Sequence, residues 1–193
     1  MKFLNPQTRF QEIREMAESF LDTRNNLIHM EVSSAFALRL LNSEPGDETV
    51  VMPAIILHDV GWKMVPEELQ IQAFGPKAKD METNRIHEVE GARIAREILE
   101  KLEYEASLVD EIVEIILGHD SRRNPLSFND AIVKDADKLW RFSKEAFKID
   151  PERFGIDPLA HMHWLGQQID GWFVTETGRK VAREEQRLRV VSL

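Results

Sequence analysis

The chain has 193 residues and no cysteine. That one absence excludes disulfide frameworks, thiolate zinc sites, cysteine nucleophiles and iron–sulfur clusters, so any bound metal must be held by nitrogen and oxygen donors. Positive charge is also scarce: 25 Lys and Arg stand against 34 Asp and Glu, a formal net charge of −9. This balance argues against a grip on extended nucleic acid and against attraction to an anionic membrane, and an anionic substrate would need a local positive focus. Long apolar runs are missing as well. The longest, such as Val50 to Leu57, fall far short of the roughly 20 residues that span a bilayer. The start, Met1-Lys2-Phe3-Leu4-Asn5-Pro6, lacks the apolar stretch and cleavage site of a secretory signal, and the expected location is cytoplasmic.

Alternation of the strand type is nearly absent. Apolar and small residues instead recur at helical spacing, as in Leu27, Met30, Ser34, Leu38 and Leu41, and again in Ile86, Val89, Ala92, Ala95, Ile98, Leu99 and Leu102. Breakers at Pro45-Gly46-Asp47, Gly75-Pro76, Asn124-Pro125, Asp150-Pro151 and Asp157-Pro158 divide the chain. The pattern predicts helices over Thr8–Asp22, Asn26–Asn42, Glu48–Asp59, Pro66–Phe74, Asn84–Leu102, Ala106–His119, Asn129–Ile149, Pro158–Thr175 and Gly178–Val191. The fold class is all-α, and the length suits a single domain, 1–193, with one core. Trp62 to Thr83 is the least regular stretch and reads as a surface connection or a loop over a site. The basic residues Arg179, Lys180, Arg183, Arg187 and Arg189 read as a solvated helix face.

Six histidines occur, at 29, 58, 87, 119, 161 and 163. His58-Asp59 closes the apolar run Ala54-Ile55-Ile56-Leu57, His119 closes Ile115-Ile116-Leu117-Gly118, and Asp135-Ala136-Asp137 follows Ile132-Val133. Ionisable groups next to buried segments are costly unless they are paired or bind a metal, and convergence on one site would account for several of them together. A His-Asp dipeptide alone is weak, since His119-Asp120 is a second one. Adjacent side chains on a helix diverge by about 100°, so His58 and Asp59 can share a site only at a helix end, with Gly61 letting the chain turn away. His161 and His163 read as packing or surface histidines, and Trp62, Trp140, Trp164 and Trp172 as core anchors rather than base-stacking platforms.

Taken in order, His29, His58-Asp59, His87, His119 and Asp137 within Asp135-Ala136-Asp137-Lys138-Leu139 resemble the HD superfamily of metal-dependent phosphohydrolases. The segments Leu57-His58-Asp59-Val60-Gly61-Trp62 and His87-Glu88-Val89-Glu90-Gly91-Ala92 support the match, which covers about 25–145. The resemblance implies a helical bundle of the HD type, with C-terminal helices over 158–191 packed on that core. It also implies a first metal held by His29, His58, Asp59 and Asp137, and a second held by His87 and His119, with Asp59 bridging. Asp135 is the alternative to Asp137; the small residue before Asp137 and the Lys138-Leu139 after it favour Asp137. That leaves Asp135, like Asp120, to orient a ligand from behind.

The donors suit one or two divalent transition-metal ions, manganese, iron, cobalt, nickel or zinc. The implied reaction is hydrolysis of a phosphate ester or anhydride in a nucleotide or small phosphorylated metabolite, with metal-activated hydroxide as nucleophile. Asp59 and Lys63 carry the catalytic expectation, and Lys63 and Arg122, with Arg123 beside it, the phosphate-binding one. Relatives often place the Lys one residue earlier, where Trp62 stands here. Two alternatives share the pattern: an HD-type di-iron oxygenase and a non-catalytic ligand-binding HD domain. A homodimer is compatible with the apolar face at Trp164–Val174.

Overall fold

Val50-Val51-Met52-Pro53-Ala54-Ile55-Ile56-Leu57 has no polar face to offer solvent, so a helix made from it must lie inside. In the computed structural model, which describes residues 6–73 and 81–191, α3 (Glu48–Leu57) has every residue from Val50 to Leu57 buried. The helix starts at Asp47, whose side chain accepts from the Thr49 N–H at 2.8 Å. Pro53 removes the N–H that would have bonded the Thr49 carbonyl. The Tyr104 hydroxyl donates to that oxygen instead, at 2.8 Å, so the part-buried carbonyl is satisfied.

Four helices pack around α3: α1 (Pro6–Ala17), α2 (Asn26–Leu41), α6 (Ala106–Ile116) and α7 (Phe128–Leu139). The others are α4 (Glu67–Ala73), α5 (Met81–Lys101), α8 (Lys144–Phe154), α9 (Pro158–Trp172) and α10 (Glu176–Val191), with 3₁₀ turns at Glu18–Phe20, Val60–Met64 and Trp140–Phe142. α5 lies against the turn Val60–Met64 and α6, while α10 packs on α9 and α7. No strand occurs among the described residues, and the fold is the all-α bundle expected.

Several boundaries differ from the sequence pattern. The helices expected to reach Asp59 and His119 end at Leu57 and Ile116, so His58, Asp59 and His119 stand just past helix C-termini. The helix expected over Asn129–Ile149 is two. After Leu139 the chain tightens into the turn Trp140–Phe142, and Ser143 goes extended at ψ 163. Its hydroxyl accepts from the Ala146 N–H at 3.0 Å and so starts α8. The break expected at Asp150-Pro151 is absent: Pro151 sits inside α8, which runs on to Gly155, a left-handed cap at φ 61. The Trp62–Thr83 stretch holds the turn Val60–Met64 and α4, and α5 begins at Met81 rather than Asn84; Gly75-Pro76 lies outside the described residues.

Gly61 serves contact rather than turning. Its φ is not positive, and a Cβ there would collide with the His87 carbonyl and the Gly91 backbone on α5. This approach sets the distance between the segment carrying Asp59 and the helix carrying His87. Gly61→Ala is therefore expected to lose about 1–3 kcal/mol through overpacking. A thermal melt checks it, and a Tm equal to that of wild type would contradict so close a contact.

Candidate metal centre

Each element delivers its side chain to one place. His29 lies in the first turn of α2, His58 and Asp59 follow α3, His87 is in α5, His119 follows α6 and Asp137 is in the last turn of α7. The His29 and His58 Nε2 atoms are 2.9 Å apart. Asp137 Oδ1 is 3.2 Å from the first and 3.5 Å from the second, and Asp59 Oδ2 is 3.5 and 3.7 Å from them. On the other side the His87 and His119 Nε2 atoms are 3.2 Å apart, with Asp59 Oδ1 at 3.8 and 3.7 Å. Asp59 thus turns one oxygen toward each pair of imidazoles.

The His58 and His119 rings are oriented from behind. The Nδ1–H of His58 donates to Ile55 O and that of His119 to Ile116 O, each at 2.8 Å. These carbonyls belong to the ends of α3 and α6, and the bonds leave both Nε2 lone pairs aimed inward. Bonds of about 2.0–2.2 Å at tetrahedral or octahedral angles place the donors of one ion about 3 to 3.5 Å apart. Both clusters, His29 with His58 and Asp59, and Asp59 with His87 and His119, are buried and could hold a metal ion. All donors are nitrogen or carboxylate oxygen, which fits divalent transition metals.

The electrostatics show what the cluster lacks without cations. Burial pushes the Asp59 carboxyl up, but the charges of His58, His119, His29 and Arg24 outweigh it and hold it well below the carboxylate range. Asp137 is held low by His29 and His58 against the same burial. The His119 imidazole rises to about 9, because Asp59 and Asp120 overcome its burial, and His58 is raised by Asp59 and Asp137. His87 goes the other way, to about 4, through burial and the neighbouring His119 charge.

A clamp holds the His119 turn. The Lys134 ammonium, 2 % exposed, donates to the Gly118 and His119 carbonyls at 2.7 Å each. The buried Glu88 carboxylate accepts from the Asp120 and Ser121 N–H groups at 3.0 and 2.8 Å and from Arg85 at 2.8 Å. Neither residue carries a sequence signal of its own; both are visible only once α5 and α7 are placed beside the turn.

Not every candidate reaches the cavity. Lys63 bonds Asp22 at 2.5 Å on the surface, away from the cavity lining. Arg122 pairs with Glu114 at 2.8 Å and Asp130 at 3.3 Å, against Gly118, and also stays out of the lining, while Arg123 is exposed. Asp135 accepts from the Val174 and Thr175 N–H groups at 2.7 and 2.8 Å and from the Thr175 hydroxyl at 2.7 Å. It ties α7 to the start of α10 instead of orienting a ligand histidine. Asp120 does line the cavity, its Oδ2 3.8 Å from His87 Nε2. His161 stacks on Trp164 and His163 bonds Gln167, outside the cluster.

The sequence reading missed Arg24, Arg141 and Arg153, which line the cavity with His29, Asp59 and Asp137. Arg24 adopts φ 54, a left-handed conformation uncommon for a residue with a side chain, and such strain gathers at functional sites. Its guanidinium lies 3.9 Å from the centre of the Trp62 ring, which also stacks on His87 with ring centres 4.1 Å apart. Burial lowers it to about 10, which leaves it cationic at neutral pH.

The HD domain family model matches residues 26–141, a span that contains all six clustered residues. The chain belongs to the HD domain family. No curated protein and no solved structure matches it.

In this HD domain the titration of His119 has a consequence for stability. An unfolded histidine titrates near 6.5, so between about 6.5 and 9 the folded state holds a proton that the unfolded state does not, and stability falls as pH rises through that window. The Tm of chelator-treated protein is expected to drop between pH 7 and 9, and added Mn(II) to reduce the drop by replacing the proton. A Tm that does not change with pH would contradict this charge balance.

Proposed function

We propose that this HD-domain protein is a metal-dependent phosphohydrolase that cleaves a phosphate ester or phosphoanhydride in a small phosphorylated metabolite. The single observation that carries the reading is Asp59, whose two oxygens face two separate imidazole pairs. His29, His58, Asp137 and Asp59 Oδ2 would hold one divalent ion, and His87, His119 and Asp59 Oδ1 the other. When bound, such a pair supplies Lewis acidity: it brings the pKa of water from about 15.7 toward 7 and neutralises charge developing on phosphoryl oxygens.

The chain's own residues hold this arrangement in register. The Trp62 indole N–H donates to Asp59 Oδ1 at 3.0 Å and restrains rotation of the bridging carboxylate. Asn26 donates to the Asp59 backbone carbonyl at 3.3 Å. Trp140 meets His29 edge-on, with ring centres 5.2 Å apart, and keeps water from that side of the imidazole. Asp120 places a further carboxylate beside His87, and three arginines bring positive charge to the cavity wall in a protein of net charge −9.

The reading predicts nearly two Mn or Co ions per chain by elemental analysis after gel filtration, loss of both in Asp59→Ala, and retention of one in His119→Ala. It also predicts phosphate release from phosphoester substrates in an anaerobic chamber, reduced at least 100-fold in Asp59→Ala. Oxygen uptake by iron-loaded protein without phosphate release would instead place it with the di-iron oxygenases. Ligand binding that persists in Asp59→Ala without turnover would make it a non-catalytic domain.

A further inference from the structure

We propose that Arg24, Arg141 and Arg153 form an anion subsite that selects substrates carrying a second anionic group near the scissile phosphorus; this rests on the phosphohydrolase reading above. All three line the cavity that exposes His29, Asp59 and Asp137. They come from separate segments, the turn before α2, the turn Trp140–Phe142 and α8, and are tied together: Arg153 Nη2 donates to the Arg24 carbonyl at 2.7 Å. Between Arg141 and Arg153 sits the Asp150 carboxylate, 1 % exposed and 3.7 Å from a nitrogen of each. Neither Asp150 oxygen has a hydrogen-bond partner. It therefore holds two like charges together by Coulomb attraction and leaves the N–H fork of Arg141, which donates no hydrogen bond among the described residues, open to the cavity.

Charge and shape together define what fits. A filled metal centre, net of its two carboxylates and a hydroxide, keeps one positive charge. The three guanidiniums outweigh Asp150 and Asp120, so positive charge stands at a second place on the cavity wall besides the metal centre, and the planar fork of arginine matches phosphate or carboxylate oxygens in pairs. No aromatic face is free for a nucleobase among the residues lining it: Trp62 is covered by Arg24 and His87, and Trp140 is buried against His29. A bisphosphate offers one anionic group to the metal centre and one to the arginines, whereas a nucleoside monophosphate offers only one and finds no free aromatic face for its base.

Two measurements test this. The first is titration calorimetry of inorganic pyrophosphate into metal-free protein, which reads the arginines without the metals. Pyrophosphate is expected to bind, Arg141→Gln to weaken it ten-fold or more, and Arg141→Lys to recover part of the loss. Equal affinity in wild type and Arg141→Gln would overturn the subsite. The second, with Mn-loaded enzyme, compares kcat/KM for a sugar bisphosphate with that for a nucleoside monophosphate. The ratio should favour the bisphosphate and fall at least ten-fold in Arg141→Gln, whose Tm and metal content report its folding. A preference for the nucleotide, or an equal loss on both substrates, would overturn the selectivity. If no substrate is turned over while pyrophosphate binding follows Arg141, the phosphohydrolase reading fails and the anion subsite stands.

Discussion

A carboxylate buried among four imidazoles is the constraint on which the molecule depends. Asp59 would be expensive to bury alone, since a charged group in the interior is stable only when paired or bound to cations. Its surroundings answer that cost twice. His29 and His58 face one oxygen, and His87 and His119 the other. The raised His119 and depressed Asp59 and Asp137 describe the same fact from the proton side: this cluster keeps positive charge, and protons and metal ions compete to supply it.

The bundle exists to bring those groups together. α3, buried along nearly its whole length, cannot sit anywhere but the centre, and its end fixes where His58 and Asp59 appear. The approach of Gly61 to the α5 backbone sets the distance to His87, and Lys134 with Glu88 sets the turn that carries His119. Positions that look like ordinary packing therefore fix how the ligand-bearing segments are spaced. Second-layer groups of this kind commonly decide how tightly a metal is held.

Much of this could be read from the sequence because it is encoded locally. Helical periodicity gave the all-α class, and His29, His58-Asp59, His87, His119 and Asp137 form an ordered pattern that survives any uncertainty in helix ends. Less legible were features that arise only when distant segments meet. Arg24, Arg141 and Arg153 sit in unremarkable contexts, and only the packing of the Trp140–Phe142 turn and α8 against the start of α2 brings them to one cavity. Lys63 and Arg122 look better by proximity to ligands in the chain, yet their charges are taken up by Asp22 and by Glu114 with Asp130. The split between α7 and α8 is signalled by Ser143, a good helix cap, but helical periodicity across it hides the signal, and Pro151, which reads as a breaker, lies buried inside α8.

The most direct measurement is anomalous diffraction from crystals of the protein loaded with manganese or cobalt. The account predicts two peaks per chain roughly 3.5 to 4 Å apart, one against His29, His58 and Asp137, the other against His87 and His119, with Asp59 between them. A single peak, or ions bound away from Asp59, would contradict it.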